Sequence, residues 1–459
     1  MKTLYPFQQD AVDFLSTRNG ILGDECGLGK TVAAIEVIKL RRKRAKTSTA
    51  EGPILVVCPK SVKRQWLNEI DDQCPDDPII VTGVAGRMPD HEPGEPWELR
   101  WLFHPRVNSW VIMHYEGIQR QYKELVKCLW SSIICDEAHR IKNRRAKRSI
   151  YLKLLRADHR LALTGTPMHK NPAELWSLLQ WLYPDHFRSY WQFFEEFVRY
   201  EEHPFHGYKQ ITGVKNEKRL GEIMGPIFLR RTKHEVAPDL PPRIDTRVEI
   251  DMLPAQQKLY DKIKKAKDIE VPLEGQDLSL LIPNVLAKLT RLQQVLVDPS
   301  MTPLNQHLPS AKLEWIRDYI GDNPGIPMLI FSKFRAPVLR LAEEFDTALH
   351  VGAAGKKMGS GVEDFIYGTK DILCGTIDAL GEGLDLGRAS RAIFLECHWS
   401  TQKMQQAYDR IHRITAVEPK HIITLHTANT VDSLVEKSLK QGWSTQDLVF
   451  KALKQWEEV

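Results

Sequence analysis

The sequence reads as an α/β protein of two lobes, each an open parallel sheet flanked by helices, with further helical material inserted. Three observations carry this. Short apolar runs bounded by glycine, proline or charge recur in the first half, at Ile54–Cys58, Ser132–Cys135 and Leu161–Leu163. They return in the last third at Met328–Phe331, Asp371–Leu373, Ala392–Leu395 and Ile422–Leu425. Runs that are apolar throughout, rather than alternating, suit parallel strands covered on both faces. Between them the period changes. Tyr190, Phe193, Phe194 and Phe197 fall on one helical face, as do Val285, Leu289, Leu292 and Leu296. Finally, Pro238, Pro241 and Pro242 punctuate the chain between the two strand-rich halves.

Length and composition agree with two or three such units. The chain has 459 residues, 42% hydrophobic and 27% charged, enough to bury sizeable cores and too apolar for a disordered tail. Lysine and arginine number 64 against 59 acidic residues, a net charge of +5. That mild basicity is compatible with nucleic acid without arguing for it. No apolar run approaches the roughly 18 residues of a membrane span, and Met1–Pro6 lacks a signal-peptide core. Seven cysteines with no C-x-x-C pair argue against a disulfide framework or zinc module, and a reducing, cytoplasmic setting is the expectation.

The first chemistry-bearing segment is Gly20-Ile21-Leu22-Gly23-Asp24-Glu25-Cys26-Gly27-Leu28-Gly29-Lys30-Thr31. A short apolar strand runs into it and a helical pattern, Ala33–Ile38, runs out of it, which is the setting of a phosphate-binding loop. Unpaired backbone N–H groups at a helix N-terminus receive phosphate oxygens, Lys30 reaches the β- and γ-phosphates, and Thr31 faces a magnesium ion. Asp24 stands where the strict pattern has its first glycine, and Gly29-Lys30-Thr31 taken alone also fits an incidental turn, the less favoured reading.

A second segment, Ile133-Ile134-Cys135-Asp136-Glu137-Ala138-His139, sets two carboxylates at the end of a buried run. Asp136 suits magnesium and Glu137 suits a base that orients and deprotonates water. Such a pair also occurs as a plain acidic turn, and Lys30-Thr31 upstream is what favours chemistry.

Gly-Leu-Gly-Lys-Thr, Asp-Glu-Ala-His and Leu163-Thr164-Gly165-Thr166-Pro167, in this order, resemble helicase superfamily two. Asp24–Thr31, Cys58-Pro59-Lys60-Ser61, Asp136–Asn143, Phe228–Lys233, Leu329–Phe334, Gly383–Leu386 and Gln406–Ile414 resemble its Swi/Snf-like branch of double-stranded-DNA translocases. In that branch an aspartate commonly replaces the first loop glycine. The resemblance spans nearly the whole chain. It implies two RecA-like P-loop lobes, 1–240 with a helical protrusion at about 168–235, and 241–459 with helical material at about 250–310 ahead of a core at 311–459.

The resemblance also implies roles. Gln8, in Leu4-Tyr5-Pro6-Phe7-Gln8, reads adenine, while Asp24, Gly27, Gly29, Lys30 and Thr31 hold ATP and magnesium. Arg410 and Arg413, three apart on one helix face, act as arginine fingers beside Gln406. His139, Thr164 and Thr166 couple the ATP state to nucleic acid; Lys60, Lys333, the 112–116 strand end and the Gly375-Thr376 loop lie along the DNA backbone. Thr415-Ala416 departs from the branch's usual Gly-Gln. The implied activity is a DNA-dependent ATPase, a single chain pulling along duplex DNA and remodelling DNA or DNA-bound proteins. Alternatives are a strand-separating DNA or RNA helicase, or a remodeller of a nucleic-acid-bound protein machine. A motor this bare resembles bacterial or viral members more than nuclear remodellers. Basic strings at Arg41–Arg44 and Arg144–Arg148 suit either DNA or a solvated surface.

Overall fold

The computed structural model describes residues 3–44, 52–82, 109–165, 172–202, 209–265, 278–302, 308–351, 360–380, 384 and 386–441. The chain divides into two compact units, Met1–Pro238 and Asp239–Val459.

In the first unit the strands are β1 (Gly20–Leu22), β2 (Ile54–Cys58), β3 (Ile79–Val81), β4 (Trp110–His114), β5 (Trp130–Asp136) and β6 (Ala157–Leu163), followed by a hairpin, β7 (Val198–Glu202) and β8 (Lys209–Val214), and then β9 (Phe228–Leu229). Seven of them form one sheet in the order β3-β4-β2-β5-β6-β1-β9. Every pairing in it is parallel. Both faces are buried, and β2 shows why its run is unbroken. Ile54, Val56 and Cys58 pack on the helices Lys30–Arg44 and Lys63–Gln73, while Leu55 and Val57 pack on Tyr115–Leu125 and Ala173–Leu182.

The second unit repeats the plan with β10 (Arg243–Glu249), β11 (Met328–Ser332), β12 (Ala348–His350), β13 (Ile372–Thr376), β14 (Arg391–Phe394) and β15 (Lys420–His426). Their order is β10-β15-β14-β11-β13-β12, again parallel throughout. Leu329 and Phe331 face one core and Met328 and Ile330 the other. The Leu278–Val297 helix buries Val285, Leu289, Leu292 and Leu296 against Pro254–Lys265 and Val431–Gln441.

The helical reading of 168–235 needs correction. Tyr190–Phe197 is a helix whose Phe193, Phe194 and Phe197 are buried, but it leads directly into the antiparallel β7–β8 hairpin. Val198, Tyr200 and Ile211 lean on the aromatic face of that helix, so the hairpin closes a small core rather than extending the helix. Among the described residues, no helix is long and apolar enough to cross a membrane.

His159, in the middle of β6, ties the first helix to the sheet. Its Nε2–H donates to the Arg18 and Leu15 carbonyls at 2.7 and 3.1 Å. Burial, with Arg41 nearby, pushes its pKa down to about 3. Above the unfolded value both states are neutral, whereas below it only the unfolded chain takes the proton, so stability falls as pH drops. Between pH 6.5 and 5 the loss is about 2 kcal/mol. His159→Gln retains an amide donor but cannot titrate, so its urea-unfolding free energy should fall less than the wild type's by about that amount. Equal falls in both proteins would exclude this origin.

Candidate nucleotide site

The carboxyl ends of β1, β5 and β6 bring the two sequence segments together. From β1 the chain passes Gly23 and turns through Gly27 and Gly29, whose φ values of 88° and 76° lie in the left-handed region. The Lys30–Arg44 helix starts immediately after, so its unpaired N–H groups point into the loop. Lys30 Nζ donates to the carbonyls of Asp24 and Glu25 at 2.7 and 3.3 Å. Thr31 follows in the first turn, half-buried.

Gln8 is buried and packs against this loop. Its Nε2 donates to Leu28 O at 3.1 Å and its Oε1 accepts from Tyr5 N at 3.1 Å. A Cβ on Gly29 would come within 2.4 Å of that Nε2. Asp24 turns away from the loop's interior, with both carboxylate oxygens on Arg231, at 3.1 and 2.6 Å. It therefore stands as a brace of the loop, a placement its motif position alone does not reveal.

At the end of β5, Asp136 is half-buried and held from three sides. Trp66 Nε1 donates to its Oδ2 at 2.8 Å, the Glu137 N–H donates to its Oδ1 at 2.9 Å, and Tyr115 Oη donates to its carbonyl at 2.6 Å. Burial and the adjacent Glu137 raise its pKa above the usual carboxylate range, while Trp66 and Lys30 act against that rise. The loop leaves the end of β1 and Asp136 ends β5, and β6 pairs in parallel with both, so the loop and the strand-end carboxylate lie at the same edge of the sheet. Glu137 itself takes a left-handed conformation, φ 49°, and its Oε2 lies 3.2 Å from His139 Nδ1. Thr164, just past β6, is fully buried, its N–H donating to Leu22 O at 3.1 Å. Thr166 lies outside the described residues.

A hydroxyl, from Thr31, and the half-buried Asp136 carboxylate are hard oxygen donors, the chemistry that suits magnesium. Trp66 escaped the sequence reading, whereas Tyr115, expected in the 112–116 strand end along the DNA backbone, is fully buried beneath Asp136. Trp66 sits six residues after Lys60 on a helix whose start follows Cys58-Pro59-Lys60-Ser61, the one signal that could have found it.

In the second unit, Arg410 and Arg413 do not share a helix face. The Thr401–Tyr408 helix ends at Asp409, after which tighter turn bonds take over, Arg410 N–H to Ala407 O at 3.2 Å and Ile411 N–H to Tyr408 O at 3.3 Å. The two guanidiniums converge differently, since both donate to Leu384 O, Arg410 at 3.4 Å and Arg413 at 2.5 Å. Arg410 is buried and its Nε also donates to the backbone carbonyl of half-buried Gln406 at 3.2 Å. Gly383 and Asp385 of the neighbouring motif lie outside the described residues.

The backbone-contact residues are placed unevenly. Lys60 is exposed, opening a short turn of 3-10 helix, Lys60–Val62. Lys333 is mostly enclosed, with Nζ 3.2 Å from Gln293 Oε1 and 4.4 Å from the centre of the Trp399 ring. Burial lowers its pKa to about 8. Gly375 and Thr376 close β13 rather than forming a loop, because both pair with β11. Among the basic strings, Arg42 pairs with Asp77 at 2.5 Å, Arg41 and Arg44 reach Ser16, and Arg144 lies 4.0 Å from the Tyr190 ring centre. Those side chains serve packing within the first unit.

The contact between Gly29 and Gln8 makes a sharp test. Gly29→Ala meets both an unfavourable φ and the Gln8 amide, so ATP affinity should fall by about tenfold or more in a fluorescent-nucleotide titration. Gly213→Ala, where a Cβ meets nothing within 4 Å, should leave it unchanged.

Residues 7–301 match the SNF2-related domain and residues 311–415 the helicase conserved C-terminal domain. Chromodomain-helicase-DNA-binding protein 1-like of Danio rerio is 28% identical over 457 residues, covering 94% of this chain and 42% of that protein. ISWI chromatin-remodeling complex ATPase ISW1 of Saccharomyces cerevisiae is 29% identical over 481 residues, covering 98% and 40%. The chain thus spans about two-fifths of the length of these curated relatives. The solved Sulfolobus solfataricus SWI2/SNF2 ATPase core in complex with dsDNA is 24% identical, with a TM-score of 0.45, covering 96% of this chain and 91% of that one. With more than half its length inside the first domain match and the helicase C-terminal match following it, the chain belongs to the SNF2-related family, as an SNF2-family ATPase.

Proposed function

We propose that the chain is a DNA-dependent ATPase that moves along double-stranded DNA and remodels DNA or DNA-bound proteins. The observation that carries the ATP chemistry is that the Lys30 loop and Asp136 leave the carboxyl ends of β1 and β5 in one parallel sheet, with Glu137 next to Asp136 in a left-handed turn. Family membership and relatives named as chromatin-remodelling ATPases support the duplex substrate.

Gln8 reads the base while backbone N–H groups of Gly27 and Gly29 and the Lys30 ammonium receive the phosphates. Thr31 and Asp136 would hold a magnesium ion, which supplies charge neutralisation on the β- and γ-phosphates. Glu137 orients the attacking water and accepts its proton, with His139 positioning the carboxylate. Arg410 and Arg413 neutralise charge developing on the transferred phosphoryl group. Residues 1–240 and 241–459 act as the two motor lobes, and Thr164, Thr166, Lys60, Lys333 and Gln406 link nucleotide state to the DNA backbone. Contacts of this kind grip phosphates without reading bases, which lets a motor slide.

Duplex DNA should stimulate hydrolysis more than single-stranded DNA or RNA, measured by phosphate release, and triplex displacement should depend on ATP. Stimulation without preference for duplex would sink the translocase reading. Glu137→Gln should keep nucleotide affinity and abolish turnover. Arg413→Ala should lower kcat by about a hundredfold or more with little change in nucleotide affinity. A loss confined to affinity would remove the finger role.

A further inference from the structure

One guanidinium links three parts of the first unit that are far apart in sequence. Arg231 follows the edge strand β9 and grips the Asp24 carboxylate with Nε and Nη2, 207 residues away along the chain. Its Nη1 donates to the Phe7 carbonyl, and its Cζ lies 5.3 Å from the centre of the Phe7 ring. The contact is dry, with the Asp24 side chain 3% exposed and that of Arg231 14%. Backbone bonds fix the partners in place. Gly23 N–H donates to Leu229 O at 2.7 Å, Glu25 N–H to Arg231 O at 3.0 Å, and Lys233 N–H to Glu25 Oε2 at 2.8 Å.

Each partner of Arg231 adjoins a nucleotide-recognition group. Phe7 precedes Gln8, whose amide holds Leu28 O and abuts Gly29. Asp24 carries the carbonyl that accepts from Lys30 Nζ. We propose that Arg231 is a positioning residue of the nucleotide site, fixing the spacing between the Tyr5–Gln8 segment and the phosphate loop. Base and phosphates of one nucleotide then meet their partners together. The inference rests on the ATP reading given above. A planar fork is needed for this task, since it binds two carboxylate oxygens and a carbonyl in one plane while its face lies on an aromatic ring. A lysine offers one point charge and cannot hold all three. Without the fork, Asp24 would be a buried carboxylate lacking its cation, and the loop would rotate to hydrate it, moving the Asp24 carbonyl and the Lys30 ammonium with it.

The test is steady-state ATPase kinetics of the full chain carrying Arg231→Gln, Arg231→Lys, Asp24→Asn, or Arg231→Gln with Asp24→Asn, alongside thermal unfolding. Arg231→Gln should raise KM for ATP by about tenfold or more while kcat at saturating ATP changes far less. Its preference for ATP over GTP should narrow, because the Gln8 segment loses its register. Arg231→Lys should fall between, and the double variant should be no worse than Arg231→Gln alone, since both disrupt one contact. A lowered kcat or melting temperature with KM and base preference unchanged would overturn the proposal and leave a merely structural ion pair. Should Arg231→Gln fail to fold, Arg231→Lys decides, and an unchanged KM there overturns it equally. A wild-type chain that does not bind ATP in a nucleotide titration would overturn the functional reading itself, and this inference with it.

Discussion

A parallel strand buried on both faces most readily presents charged groups to a ligand where it runs out, and the candidate site residues of both units follow that constraint. The phosphate loop leaves the end of β1, Asp136 and Glu137 the end of β5, and Thr164 the end of β6. Ser332 and Lys333 lie at the end of β11, and Glu396 two residues past β14. Because β1, β5 and β6 are related by a fixed parallel register, the sheet sets where the loop starts relative to the strand-end carboxylates. The loops then need local bracing, which Gln8, Trp66, Tyr115 and Arg231 provide from four separate segments of the chain.

The second unit uses buried charge in a comparable way. Lys312 Nζ donates to Asp432 Oδ2 at 2.6 Å and to the carbonyls of Leu395 and Leu425 at 2.8 and 3.2 Å. The Leu395 carbonyl lies beside Glu396, a wholly buried carboxylate whose pKa burial pushes up to about 7. Glu396 accepts from Ser332 Oγ at 2.8 Å and from the Lys333 N–H, so it fixes the turn that leaves β11. Pairing of this kind stabilises little compared with an apolar core, yet removing one partner strands the other, which makes the arrangement specific.

Legibility followed the physics. Ile54–Cys58 is legible to the residue because five consecutive apolar side chains need two covered faces. Arg243–Glu249 is the opposite case, an edge strand of mostly exposed, charged residues whose composition resembles a loop. The β7–β8 hairpin is obscured by Arg199, Glu201 and Glu202, which break any strand-like apolar pattern. In the site, residues within one motif were readable as a group, because loop and strand-end chemistry depends on local spacing. The grip of Arg231 on Asp24 and the enclosure of Lys333 by Gln293 and Trp399 depend on contacts between distant segments, which no local spacing encodes. Arg410 and Arg413 illustrate the intermediate case, since they share a carbonyl acceptor after their helix has ended and not the helix face that their spacing suggests.

Glu137 carries a further consequence. A side chain with a Cβ held at φ 49° stores backbone strain of about 1–3 kcal/mol. Glycine or asparagine would relieve that strain, so substitutions that increase stability at this position are easily reached while none of them preserves the carboxylate. If Glu137 is the base proposed above, thermostability screening would therefore enrich variants at residue 137 that have lost turnover.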